Sequence, residues 1–298
     1  MVYTEPMRTG LGMDAYTIVE VMIFLAVSSL LFALIAGSVN GQQSKTQFVG
    51  SARNFESRLL DLANDVSTGL YDRLSDYSCS STPTTDVAIS AVGVGRGQNS
   101  GCIFVGQVLQ FTPGKTTFLR YPVVGKQQLV SSGIVQEAAS MTDARPLALV
   151  KGSNALYGSF PAGFNQSRQE SMLFGATVRK VTYDKGVGGP IIVNGFMFAT
   201  TFASYNSGNP VLSSGDVQTN LVPLQPLPPT WVTPQVGADY IASLASGGWN
   251  AAVINPLKGI AICLEDSANN PKRHADLVLG GSGRQLTTNL TINEGVCT

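Results

Sequence analysis

Glu20 has the most unusual setting in the chain. It is the one charged side chain between Tyr16 and Gly37, in the run YTIVEVMIFLAVSSLLFALIAG. A carboxylate among so many apolar neighbours is costly to desolvate and marks a function by default. Its chemistry is that of an anion waiting for a cation. Were the chain to begin at Tyr16, an α-amino group would lie about one helical turn away, and the same group on a neighbouring copy could neutralise it. The bland alternative is a carboxylate that reaches back to lipid headgroups.

The other chemistry-bearing residues are few. Cys79, Cys102, Cys263 and Cys297 form no C-x-x-C motif, and with His274 as the single histidine a zinc site has little to draw on. An even count with wide gaps fits two disulfides in an oxidising compartment. Four cysteines allow three pairings. Shorter loops close more easily, which favours Cys79–Cys102 with Cys263–Cys297. Four buried free thiols are the alternative. His274 lies in PKRHAD, which reads as an exposed polar turn, and no G-x-S-x-G elbow accompanies it, so Ser-His-Asp hydrolysis has no footing. The stretch Gly93-Val94-Gly95-Arg96-Gly97 has the glycine density of a phosphate-binding loop but not its strand–turn–helix setting. The placement of Asp and Glu marks no glycosidase pair. The chain is therefore read as a non-enzyme with no cofactor and no metal. Lys272, Arg273 and His274, with Arg284, make a small basic cluster where phosphates of a nucleic acid would bind, although Glu265, Asp266 and Asp276 lie close in sequence. An ordinary solvated turn is the bland reading of that cluster.

Composition sets the background. Charged residues make up 13% of the chain and hydrophobic residues 44%. The usual charged share is about 25%. A surface built from Ser, Thr, Asn, Gln and Gly suits an extracellular setting or side-by-side packing of identical copies. Nineteen basic residues balance nineteen acidic ones, which excludes a general polyanion binder.

The element that must position Glu20 is a helix. Tyr16–Gly37 is about one bilayer's worth of apolar residues, longer than the apolar core of an ordinary secretory signal. Beyond it, Phe48, Ala52, Phe55, Leu59, Leu62 and Val66 recur at helical spacing, with Lys45, Gln47, Arg53, Glu56, Arg58 and Asp61 opposite. Gly41 and Gly50 weaken this helix and Gly69 can cap its end. The reading is one helix of about fifty residues, apolar all round in its first half and amphipathic in its second.

Together these residues resemble the processing and methylation segment of type IV prepilins and type II secretion pseudopilins. Tyr16, Thr17, Ile18, Val19 and Glu20 match the family's order of aromatic, Thr, two aliphatics and Glu. Ala15 stands where the family usually has Gly, and Arg8 in the leader is outnumbered by Glu5 and Asp14. The resemblance implies cleavage between Ala15 and Tyr16 by a prepilin peptidase, and methylation of the new amine. It also implies assembly at an inner-membrane platform through Thr17 and Glu20, with other pilin subunits as partners.

Strand-like segments dominate the remainder. Cys102–Phe111 and Thr116–Val124 flank the turn Pro113-Gly114, and Met172–Tyr183 and Ile191–Ser204 flank residues 184–190. Residues 70–100 read as loop with one apolar patch at Val87–Val94, and 125–170 stay ambiguous. Ala238–Leu244 reads as a short helix. Ala251–Ile254, Gly259–Leu264, Ala275–Leu279 and Gln285–Ile292 follow as strands, the last two joined by the Gly280–Gly283 turn. The ending LVLGGSGRQLTTNLTI resembles the last hairpin of the FimT and GspH minor pilins.

The expected class is α+β: a long N-terminal helix, its first half embedded in a membrane, packed on an antiparallel β-rich domain as in pilins. The expected parts are a leader (1–15), the transmembrane and assembly half of the helix (16–37), its amphipathic half (38–69) and a β-rich globular domain with insertions (70–221). A Pro-rich connector (222–234) and a C-terminal β region (235–298) follow. The connector has a second reading as a docking peptide. The expected role is a structural subunit of a type IV pilus or pilus-like filament, in the membrane before assembly and extracellular after it. Three alternatives remain. One is a minor or tip pilin acting in adhesion, secretion or DNA uptake, with DNA or a surface as ligand. The others are an anchored exported protein that never polymerises and a plain signal-anchored domain.

Overall fold

A computed structural model describes residues 17–68, 78–90, 101–112, 114–150, 158–159, 164–184, 189–200, 219–224, 234–244, 259–266, 272–280 and 286–297. The chain divides into two units, Met1–Gln47 and Phe48–Thr298. Helix α1 (Ile18–Thr68) contributes to both. In the first unit, no residue of Ile18–Ile35 is buried, and the side chains suit a helix with no preferred face.

The second unit is built mainly from antiparallel sheets. Strands β1 (Ser78–Ser80) and β2 (Val87–Ser90) precede the long β3 (Cys102–Phe111) and β4 (Thr117–Lys126). A hairpin of β5 (Gln128–Ser131) and β6 (Ile134–Glu137) leads to the single turn of α2 (Met141–Ala144). Short strands β7 (Leu147–Ala148), β8 (Gly158–Ser159) and β9 (Arg168–Ser171) come next. Then follow β10 (Ala176–Asp184), β11 (Pro190–Val193), β12 (Gly195–Thr200) and β13 (Thr219–Pro223). Helix α3 (Pro234–Leu244) precedes β14 (Ile260–Asp266), β15 (Arg273–Gly280) and β16 (Thr287–Glu294). One sheet has the order β11-β10-β14-β15-β16, and another β13-β12-β3-β4-β7 with β9 also paired to β4. The chain is thus α+β with an apolar N-terminal helix and antiparallel sheets.

The apolar stripe of α1 explains how the sheets meet. Phe48, Ala52, Phe55, Leu59, Leu62 and Val66 are all buried. They share one core with Leu109, Phe111, Phe118, Phe196 and Phe198 of one sheet and Ile262, Leu264, Leu277 and Leu279 of the other. The Phe55 ring meets Phe111 and Phe118 edge-on, with centroids 6.0 and 5.7 Å away. The flanks of the stripe are tied by hydrogen bonds. Thr288 donates to Glu56 Oε1 at 2.6 Å, Ser51 to the Leu173 carbonyl at 2.7 Å, and Thr219 to the Ala63 carbonyl at 3.1 Å.

The β3–β4 sheet is buried on its other face too. Val108, Tyr121, Val123 and Met197 pack there with Ala238, Ile241 and Leu244 of α3 and with Met141 of α2. Gly237 lets α3 come this close, because a Cβ there would lie 2.3 Å from the Tyr121 hydroxyl oxygen. That hydroxyl donates to Gln110 Oε1 at 3.2 Å, and burial raises its pKa, so it stays protonated. Disulfides join Cys79 to Cys102 and Cys263 to Cys297, each with Cα atoms 6.0 Å apart.

Several elements differ from expectation. The run Ile191–Ser204 is not one strand, because β11 pairs with β10 while β12 pairs with β3 and β13. Asn194 is the corner, and its carbonyl accepts the Phe111 N–H at 2.6 Å. Val193 and Phe196, three positions apart, both face the same core, which one continuous strand would not allow, so the alternation breaks at this corner. The strand expected from Met172 begins only at Ala176, after a 3-10 turn at Leu173–Gly175. Two short strands, β1 and β2, occupy part of the expected loop at 70–100. Pro113, Gly93–Gly97, most of the Pro-rich connector, Ala251–Ile254 and 281–284 lie outside the described residues.

Replacing Phe55 tests the shared core. Phe55→Ala should destabilise the folded chain by about 3–5 kcal/mol, the range for emptying a large buried aromatic site. Denaturant unfolding in detergent micelles, followed by near-ultraviolet circular dichroism, measures it.

Candidate functional site

The first turn of α1 concentrates the residues that matter for an N-terminal role. Thr17 precedes the helix and caps it. The Glu20 amide donates to Thr17 Oγ1 at 3.3 Å and to the Thr17 carbonyl at 3.0 Å, and the Val21 amide shares that carbonyl at 3.2 Å. Thr17-x-x-Glu20 has the spacing of a capping box, a start signal that the pattern-based reading of this segment passed over. A carboxylate at the third helical position also meets the positive end of the helix dipole. Both arguments place Glu20 at a helix start by local physics, beside any partner it has. Ala15 and Tyr16 lie outside the described residues.

Behind this polar start lies apolar surface. Ile18–Ile35 has a mean hydropathy of 2.6 over 18 residues and none of it is buried. At 1.5 Å per residue it spans about 27 Å, close to the hydrocarbon thickness of a bilayer. Ser29 returns its hydroxyl to the Leu25 carbonyl at 2.7 Å, so it costs little in an apolar medium. This is one helix able, by length and composition, to cross a membrane.

The basic cluster near the C-terminus is rearranged by the fold. Arg273–Asp276 do not form an exposed turn, because Arg273 opens β15 and that strand is paired on both sides. Successive residues of a strand face opposite sides, so Arg273 and His274 diverge. Arg273 buries Nε and Nη1 with no hydrogen-bond partner among the described residues. His274 Nε2 lies 3.4 Å from Asp276 Oδ2. Glu265, opposite His274 in register, lies 3.7 Å from Arg179 Nε. Lys272 is exposed, and Arg284 is outside the described residues.

A second constellation comes from residues that no motif marked. A cavity of about 490 Å³ opens between the loop at Pro83–Thr84, the end of β4, β5 and α2. Lys126, at the end of β4, lines it yet is only 2% exposed. Its Nζ donates to the Pro83 carbonyl at 3.3 Å. Burial lowers the Lys126 pKa, the Arg145 charge lowers it further, and Asp86 opposes both. Arg145, on the same cavity, holds Asp86 Oδ1 at 2.6 Å from Nη1. A lysine this buried is uncommon, and only burial, which depends on the fold, reveals it.

The fold and this first turn define an α+β protein with one apolar N-terminal helix and a disulfide-bonded β domain. No family model, curated protein or solved structure matches the chain.

Two measurements follow. Thr17→Ala should weaken the first turn by about 1 kcal/mol, while Thr17→Ser keeps the cap; amide exchange at Glu20 and Val21 in micelles reads the difference. For Lys126, the folded chain gives up this proton at a lower pH than the unfolded chain does. Stability should therefore rise with pH between the lowered value and the ordinary lysine value of about 10.4. Denaturant midpoints of the parent and of Lys126→Met, compared across that window, should show the rise in the parent alone.

Proposed function

We propose that this chain is a structural subunit of a type IV pilus or pilus-like filament, assembled through its N-terminal helix rather than acting as an enzyme. The observation that carries the proposal is the apolar segment Ile18–Ile35, none of it buried, with a lone carboxylate, Glu20, in its first turn. Apolar surface in water costs roughly 25 cal/mol per Å². A helix extracted from lipid must therefore bury itself again, and packed copies of the same helix satisfy that demand. A neutralising cation for Glu20 is also required, and the amine of a neighbour beginning at Tyr16 provides one of the right charge.

In this reading a prepilin peptidase removes residues 1–15 and the amine of Tyr16 is methylated. The subunit waits in the membrane, meets the inner-membrane assembly platform, and ends in an extracellular filament. Its β-rich part fits the pilin plan of a helix backed by antiparallel sheet. A second reading, a minor or tip subunit acting in adhesion, secretion or DNA uptake, draws support from the cavity beside Lys126, since a ligand site serves a tip better than a shaft.

The test is the intact mass and N-terminal sequence of the surface protein, expressed with its assembly system. The expected result is a chain starting at Tyr16 with one methyl group. A start at Met1, or beyond residue 36, removes the proposal. Glu20→Ala should then lose filaments while its chain still enters the membrane; unchanged filament yield would instead favour a lipid-facing role for Glu20.

A further inference from the structure

We infer that the cavity beside Lys126 is a binding site for an acidic sugar unit, a hexuronate whose carboxylate becomes the missing partner of the buried ammonium. The inference starts from an imbalance of charge. An ammonium has three donors, and at 2% exposure this one reaches little water. One carbonyl, that of Pro83, is its hydrogen-bond acceptor. Among the described residues no carboxylate lies within ion-pairing distance of it. Buried charges are paired as a rule, and Lys126 lines a cavity.

The neighbouring cation is already paired, since Arg145 holds Asp86, so Lys126 is the charge left without a carboxylate in contact. Arg145 sits with φ 47° and ψ 67°, in the left-handed region that a non-glycine residue seldom occupies. That conformation ends α2 and keeps Arg145 on the cavity wall, where the ion pair with Asp86 holds its guanidinium. Lys126 and Arg145 therefore line one space together with Asp143. Backbone strain of this kind collects at binding sites.

The rest of the lining selects a sugar over a bare anion. Thr84, Thr142 and Asp143 offer hydroxyl and carboxylate groups to ligand hydroxyls. Leu129, Val130 and Pro83 offer an apolar wall for the C–H face of a ring. Inorganic phosphate has no use for that wall. A neutral sugar would leave the Lys126 ammonium without its counter-charge. The volume falls in the usual range for small-molecule sites, about 300–1,000 Å³. None of this rests on the filament reading, since a shaft subunit, a tip subunit or an anchored domain would carry the site alike.

The full-length mature chain in detergent micelles is titrated calorimetrically with glucuronic acid. Methyl glucoside and inorganic phosphate serve as the neutral-sugar and sugarless-anion probes. Glucuronate should bind at least about tenfold more tightly than either, and Lys126→Met should weaken it by about tenfold or more, as expected for loss of a charged hydrogen-bond partner. A second readout needs no variant. The Lys126 amine is titrated by carbon NMR in the parent chain with and without saturating glucuronate. A bound carboxylate stabilises the charged form, so the titration should move to higher pH. Absence of glucuronate binding, equal binding of either comparison probe, or an amine titration that glucuronate leaves in place overturns the assignment.

Discussion

The β-rich unit depends on burial of one helical stripe between two sheets. Phe55 sits at its middle, in edge contact with Phe111 of β3 and Phe118 of β4. Phe111 touches Phe196, and Phe196 meets Phe198 at 5.3 Å in a T-shaped pair. Each such contact adds about 0.5–1.5 kcal/mol beyond simple area burial. A single face of α1 thereby couples three strands of one sheet to the inward leucines and isoleucines of the other. Take the stripe away and both sheets would present apolar faces to water, which layered folds do not tolerate.

The two halves of the same helix follow different patterns. Phe48–Val66 follows a 3–4 spacing, which leaves polar residues such as Glu56 and Arg58 free to bond with strand residues at its flanks. Ile18–Ile35 has no polar face and no buried residue. A helix apolar on all sides is stable only among lipids or other helices. Placing Glu20 in the first turn confines the lone carboxylate of that segment to the end where a dipole and a cap already favour it. Local helix chemistry and the proposed assembly role therefore point to the same residue.

The cavity at the end of β4 departs from two common rules of folded chains. A lysine is buried with a carbonyl for company, and an arginine takes a left-handed backbone beside it. Consistency between levels is what lets a sequence specify one fold, and departures from it collect where a protein does something other than fold. The surrounding unit tolerates the departure because β4 is held along its length by β3, with further pairing to β7 and β9.

By itself the sequence determined what depends on neighbours within a few residues. The apolar run after Glu20, the helical stripe from Phe48 to Val66 and the strand Cys102–Phe111 are all legible from period and length. The Thr17–Glu20 cap was equally legible, and only its signal went unread. Tertiary structure alone decided what depends on distant pairing. It split Ile191–Thr200 between two sheets, placed Arg273–Asp276 in a paired strand, and buried Lys126, a residue with nothing unusual on either side in sequence. The physical reason is one of range: side-chain period is set by bond geometry along the chain, whereas sheet membership and the burial of a charge are set by partners tens of residues away.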